Sequence, residues 1–213
     1  MYTKELFTSR RLVLESGLYD DVQQALAKLV IKGQTVLDTG CGEGTHLARV
    51  CEQSGAFGIG IDLAKEGIIE AARHYTNEVW IVGDLAKAPF QQHTFDAIFN
   101  ILSPANYEEF KRLLKEDGAV IKVVPAEHYL VELRQQLFAD SEKETYSNAQ
   151  TVARFHEAFS DVTEQRVTTT KPVSSQLLPH LLNMTPMGWH RDDKADITLT
   201  EITIDVVILV GRL

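Results

Sequence analysis

The stretch that most constrains this chain is Val36-Leu37-Asp38-Thr39-Gly40-Cys41-Gly42-Glu43-Gly44. A short apolar run ends in an acid, and glycines then alternate with other residues before an amphipathic segment, Thr45–Ser54, begins. Glycine at alternate positions lets a backbone turn sharply and lie close to a ligand, where a Cβ would intrude. The helix that follows would set its positive N-terminal end beside that ligand. The spacing is neither the Gly-x-Gly-x-x-Gly of pyrophosphate binders nor a Lys-Ser/Thr triphosphate loop. An acid directly ahead of the glycines suits a ligand that carries an ammonium group. The plain alternative is any strand–turn–helix of an α/β protein.

The rest of the chain builds a sheet around that turn. Residues 3–30 read as helical, with Gly17 as a break and Asp20 as the cap of a second segment, Asp21–Val30. Phe57–Asp62 is a second strand that also ends in an acid. In a parallel α/β sheet the strand C-termini share an edge, so Asp38 and Asp62 should face one crevice. Asp62 could accept both hydroxyls of a ribose, or simply cap the helix Ala64–His74. Val79–Asp84, Phe95–Leu102 and Ala119–Val124 are three more strands, with a helix at Tyr107–Leu114 stopped by Asp117-Gly118. Helices are predicted at 127–139, Asn148–Phe159 and within Ser174–Met187, and closing strands at Val162–Val173 and Ile197–Gly211. The predicted fold is α/β: a doubly wound, mostly parallel seven-stranded sheet with N-terminal helices and a helical insertion before the last strand. One domain spans 1–213, divided into N-terminal helices (1–32), a cofactor-binding core (33–125) and substrate-side helices with closing strands (126–213).

The acid and glycine turn resemble the first motif of class I S-adenosylmethionine-dependent methyltransferases. That resemblance implies S-adenosyl-L-methionine as cofactor. It assigns Asp38, Gly40, Cys41, Gly42, Glu43 and Gly44 to its binding, Asp62 to the ribose, and Leu63, Asp84 and Leu85 to the adenine. Asn100, at the strand-four exit, joins the cofactor-binding set.

Composition narrows the partners. The net charge is −9, and no run of lysine or arginine exceeds two residues. Strong nonspecific polyanion binding needs clustered cations, although a local basic face is compatible with such a balance. Cys41 and Cys51 form no Cys-x-x-Cys pair, and the histidines show no metal spacing, so no metal is expected. No signal peptide or long apolar span is present, which points to a cytoplasmic protein without a membrane partner.

A narrower resemblance covers nearly the whole chain. Arg10-Arg11, Gly17-x-Tyr19, Asp-x-Gly-Cys-Gly-Glu-Gly, Ser103-Pro104, Glu108-x-x-x-Arg112, Leu130-x-Glu132-Leu133 and Met184-Thr185-Pro186-x-x-Trp189 occur in order. The ordered set resembles the 23S ribosomal RNA guanine-N1 methyltransferases. The resemblance implies an RNA substrate, 23S rRNA, and gives Tyr19 and Tyr129 places in the cofactor pocket. Tyr19 reads equally as a core residue. That family carries a zinc-binding module of four Cys/His ligands ahead of the paired arginines, and no such ligands precede Arg10 here. A small-molecule acceptor and a non-catalytic cofactor-binding paralogue are the competing readings, and a homodimer is left open.

Methyl transfer aligns a nucleophile, a methyl and a sulfonium sulfur, and alignment alone supplies much of the rate. Asn100 and Ser103 occupy the strand-four exit and could orient the acceptor. Glu127 and His128, just past strand five, are the acid/base candidates, with surface or capping roles as the alternative. Trp189 could stack on an unpaired base or fill the core beneath the insertion. An open face formed by Lys111, Arg112, Lys122 and Arg134 would favour RNA.

Overall fold

A computed structural model describes residues 3–138, 147–185 and 197–213. Helix α1 (Lys4–Glu15) starts where the Thr3 hydroxyl accepts the Leu6 amide, and α2 (Asp20–Ala27) follows the Gly17 break. Asp20 lies in the first turn of α2 instead of capping it; Tyr19 holds the cap position and makes no side-chain cap bond. Strands β1 (Thr35–Thr39), β2 (Phe57–Asp62), β3 (Val79–Val82), β4 (Phe95–Ile101) and β5 (Leu114–Pro125) are all parallel. Helices α3 (Thr45–Ser54), α4 (Lys65–His74) and α5 (Tyr107–Leu113) connect them, and α6 (Val131–Phe138) and α7 (Ala149–Ala158) lead on to β6 (Asp161–Pro172). Helix α8 (Leu178–Met184) precedes β7 (Glu201–Arg212).

The sheet order is β3-β2-β1-β4-β5-β7-β6, with β7 antiparallel to both neighbours. This is the predicted doubly wound, mostly parallel seven-stranded sheet. The strand order runs outward from β1 to β3 and then returns to place β4 on the other side of β1, which opens a crevice at the C-termini of β1 and β4.

Alternation along the strands separates two apolar layers. Val36, Phe99, Ile121 and Val123 face α1–α3, whereas Leu37, Ile98, Val120 and Val124 face α5 and α7. Both faces of the parallel strands are therefore buried, so these strands read as nearly continuous apolar runs. Asp38 sits on the first face. Asn100 and Lys122, paired across β4 and β5, sit on the second.

Several element boundaries differ from the sequence expectation, among them the start of β7 at Glu201 rather than Ile197 and the end of α2 at Ala27 rather than Val30. β3 stops at Val82 because Asp84 turns the chain, its carboxylate accepting the Ala86 amide to start a 3-10 turn at Leu85–Lys87. β5 begins at Leu114 rather than Ala119, with a register shift opposite Phe95 and Ala97. Helix α6 starts at Val131 rather than 127, because Leu130 takes a positive φ of 53° just before it.

Candidate functional site

The glycine turn is held on β2 by backbone and carboxylate. Gly40 N–H donates to Ile61 O at 2.9 Å, and Gly42 N–H donates to Asp62 Oδ2 at 2.8 Å. Asp62 Oδ1 accepts the Ala64 amide at 2.7 Å. Asp62 thus ties the turn to the residue just before α4, while Ala64 holds the cap position and no side chain caps that helix. Each carboxylate oxygen has two lone pairs, which leaves capacity for a ribose hydroxyl. Gly40 has a φ of 75°, and a Cβ there would lie 2.9 Å from Ser103 Oγ. Gly44 has a φ of 80°, and its Cβ would meet the Trp80 ring at 2.3 Å. A side chain at either position is therefore excluded by conformation and by space.

Beneath the turn lies a buried polar cluster. Asp38, Glu43 and His46 are each under 5% exposed. Arg10 reaches in from α1, its Nε 2.7 Å from Glu43 Oε2, with its side chain 24% exposed. That contact neutralises charge without an aligned hydrogen bond. Arg10 Nε, Asp38 Oδ1, both Glu43 oxygens and His46 Nε2 have no hydrogen-bond partner among the described residues. Burial raises the Glu43 carboxyl; Arg10, and the Glu43 amide and Thr45 hydroxyl and amide that approach it, oppose the rise without reaching full hydrogen-bond geometry. Burial pushes the Asp38 carboxyl up to about 8, with Arg10 opposing and Asp62 and Glu43 adding to the rise. Burial, then the Arg10 charge, pulls His46 down to about 3, so its imidazole is neutral. Burial also raises the Cys41 thiol well above its usual range, which makes it a packing group rather than a nucleophile.

Tyr19 and Tyr129 close this cluster, their hydroxyls 2.6 Å apart. Tyr19 is 1% exposed and packs edge-on against His46 at 5.6 Å. It is both a core residue and a member of the polar cluster. Unsatisfied buried polar atoms are costly, and a concentration of them marks the place where a polar ligand completes the bonding. A group carrying an ammonium and a carboxylate fits this donor and acceptor set. The donor and acceptor set of the cluster therefore fits the amino-acid end of S-adenosyl-L-methionine, with Asp62 near enough to act on Asp38. Leu63, 70% exposed, stands beside Asp62 as an open apolar surface, and Asp84 and Leu85 lie beyond β3 on the same edge.

Asn100, at the strand-four exit, is the centre of a buried hydrogen-bond network. It is fully buried, and its Nδ2 lies among Ser103 Oγ at 2.7 Å, Pro104 O at 2.8 Å and Thr39 Oγ1 at 3.2 Å. Its Oδ1 accepts from Lys122 Nζ, which also donates to Ser103 O at 3.0 Å. Ser103 Oγ donates to Thr39 O at 2.8 Å. The amide is engaged inside the protein, and Asn100, Ser103 and Lys122 together brace the strand-four exit. Burial pulls the Lys122 ammonium down to about 8.

Glu127 and His128 are exposed just past β5. His128 Nδ1 lies 3.3 Å from an Arg166 guanidinium nitrogen and 3.6 Å from Asp205 Oδ2. Asp205, fully buried beside them, accepts from Arg166, Thr168 and the His128 amide. Trp189 lies outside the described residues. The four cations whose gathering on an open face would favour RNA do not form one. Lys122 and Arg134 are buried, Arg112 is paired with Glu109 at 2.6 Å, and Lys111 lies over the Phe159 ring. Among the described residues no group of His, Cys, Asp or Glu could hold a metal ion, and no helix is long and apolar enough to cross a membrane.

Several members of the site carried no local signal. Arg10 was legible only as part of a pair, and His46 only as one of several scattered histidines. Trp80, wedged against Gly44 and Gly60, lies on β3, away from the turn that holds Gly44 and the strand β2 that holds Gly60. A cavity of about 620 Å³ between α8 and residues 197–200, lined by Val173, Leu178, Pro179 and Leu182, shares no residue with the polar cluster.

A methyltransferase domain model matches residues 36–122, which run from β1 into β5. The chain is 42% identical to a Bacillus subtilis protein named "Putative 23S rRNA (guanine-N(1)-)-methyltransferase YxjB", over 99% of this chain and 80% of that one. It is 27% identical to the 23S rRNA (guanine(748)-N(1))-methyltransferase of Streptomyces fradiae, over 89% of this chain and 70% of the relative. The YcgJ protein of Bacillus subtilis shares the fold, with a TM-score of 0.55 and 20% identity over 89% of this chain and 97% of its own. A glycine turn set between two strand-end acids, a buried polar cluster suited to an amino acid, and similarity along the whole chain lead to one assignment. The chain belongs to the class I S-adenosylmethionine-dependent methyltransferases, in the family of the 23S rRNA (guanine-N1) methyltransferases.

Proposed function

We propose that this enzyme methylates N1 of a guanine in 23S ribosomal RNA, in the cytoplasm. The observation that carries the reading is the extent of the similarity to YxjB. It runs over 99% of the chain and so includes the segments after the cofactor core, where an acceptor would be met. S-adenosyl-L-methionine supplies an electrophilic methyl on a sulfonium centre. As the N1–carbon bond forms, the carbon–sulfur bond electrons go to sulfur and the N1 proton must leave.

The protein's part is to bind and orient. Asp38 would hold the cofactor ammonium and Asp62 the ribose, with Leu63, Asp84 and Leu85 around the adenine. The glycine turn would let the backbone approach. The Asn100–Ser103–Lys122 network fixes the strand-four exit, where the acceptor would enter. Glu127 and His128, exposed just past the end of β5, are the acid/base candidates for taking the N1 proton.

A methyl group on guanine N1 blocks Watson–Crick pairing and halts reverse transcription. Protein-free 23S rRNA, incubated with the enzyme and labelled cofactor, should take up label and acquire one new reverse-transcription stop at a guanine. Label that enters RNA without a stop would exclude N1. Label that enters only a small-molecule extract would favour the second reading, a small-molecule acceptor. The net charge of −9 and the internal engagement of Lys122, Arg134 and Arg112 support that alternative.

A further inference from the structure

We infer that Arg10, on the N-terminal helix, receives the carboxylate of the cofactor's amino-acid end, exchanging its contact with Glu43 for that ligand. The inference rests on the cofactor reading of the cluster and adds to it a residue and a selectivity. Arg10 lies against the glycine turn: a Cβ built on Gly42 would be 3.6 Å from its Nε and 3.9 Å from its Cζ. Its contact with Glu43 is close in charge but poor in direction. Nε and both carboxylate oxygens remain without hydrogen bonds, although Glu43 is 1% exposed.

A buried ion pair of purely structural purpose gains its stability from well-directed hydrogen bonds on both partners. This pair lacks them and is a cation held in place rather than a finished strut. The surroundings select what finishes it. Asp38, with Oδ1 unpartnered, suits an ammonium, and Arg10 is the guanidinium in the same cluster. His46 is neutral and 4% exposed, with Nε2 unpartnered. Gln23 Nε2 lies 3.4 Å from its Nδ1, which places the ring proton on Nε2 as a second donor. A carboxylate is the ligand group that uses a guanidinium fork and an imidazole N–H together. The consequence is selectivity: the site should reject cofactor analogues that keep the amine and nucleoside but lack the carboxylate.

Calorimetry tests this with two probes, S-adenosylhomocysteine and its decarboxylated analogue. The unaltered protein should prefer S-adenosylhomocysteine by at least about tenfold, the range of a charged hydrogen-bonded contact. Arg10→Met should lose about ten- to a hundredfold in affinity for S-adenosylhomocysteine, while its affinity for the decarboxylated analogue shifts less than about threefold. Because Arg10→Met leaves Glu43 buried without its cation, the Arg10→Met/Glu43→Gln double variant is measured beside it. Its melting should return towards that of the unaltered protein, with the loss of selectivity kept. Equal weakening for both probes, or undiminished preference in the folded double variant, would overturn the assignment and leave Arg10 as a strut. Failure of the unaltered protein to bind S-adenosylhomocysteine would instead overturn the cofactor reading on which the assignment rests.

Discussion

Two buried acids in this protein, Asp38 and Asp205, are in opposite electrostatic conditions. Asp38 has an oxygen without a partner, and burial pushes its carboxyl up to about 8. Asp205 is buried too, and burial alone would raise it. Arg166, Thr168 and the His128 amide outweigh that and hold it at about 2. Both side chains are essentially inaccessible. Burial by itself therefore says little about role; the completeness of the hydrogen bonding separates a ligand site from a structural hub. Asp205 ties β6, β7 and the turn after β5 into one unit, whereas Asp38 is in a state that a cation would relieve.

The largest effect that can test this contrast is on Asp62, which serves both turn and ligand. Asp62→Ala should weaken S-adenosylhomocysteine binding by about a hundredfold, since it removes a charge-assisted contact and unties the Gly42 amide. Unchanged calorimetric affinity would remove Asp62 from the site. Asp38→Asn should cost about ten- to a hundredfold in affinity while leaving the melting temperature at pH 8 unchanged or raised, because the amide is never charged. A lowered melting temperature with full affinity would make Asp38 structural and erase the contrast with Asp205.

The pH dependence should carry the same signature. Below pH 8 the Asp38 carboxyl is protonated, and binding an ammonium must first expel that proton. Affinity for S-adenosylhomocysteine, whose amino group stays protonated in this range, should rise by up to about tenfold per unit between pH 6 and 7.5. A flat profile by calorimetry would contradict the raised carboxyl. For folding, the two acids act with opposite sign. Asp38 has a folded value above its unfolded one, so its contribution is fullest below about pH 4 and is lost as pH rises towards 8. Asp205 has a depressed folded value, so its contribution is present above about pH 4 and is lost as pH falls towards 2.

The smallest effect on cofactor binding belongs to Asp205→Ala. It should lower stability by about 2–3 kcal/mol in denaturant unfolding. That figure is discounted from a fully buried pair because the Arg166 side chain is half exposed and can turn to water. Its S-adenosylhomocysteine affinity should stay within about threefold of the unaltered protein. A large loss of affinity at constant stability would make Asp205 part of the site.

Legibility in the sequence followed the range over which each feature is encoded. Alternating glycines after an acid, or an apolar run that ends in an acid, lie within a few residues, and backbone sterics alone give them structural meaning. Boundaries such as the end of β3 were less legible, because Asp84 could extend a strand or turn it, and neighbouring strands decide. Asn100 was legible as a polar residue at the strand-four exit. Its engagement by Lys122 depends on the β4–β5 register, which pairs those two positions.

The residues by themselves determined the doubly wound order of elements, the glycine turn, the strand-end acids and, through resemblance, the methyltransferase family. These are local patterns repeated along one chain, and the parallel sheet aligns their ends without further instruction. Tertiary structure alone decided that Arg10 meets Glu43, that Trp80 fills the space glycine leaves at Gly44 and Gly60, and that Tyr19 bonds Tyr129. It also decided which buried acid is satisfied and which is not. Such contacts join segments far apart in the chain, and hydrophobic burial, which brings them together, is non-directional and leaves no mark in local spacing.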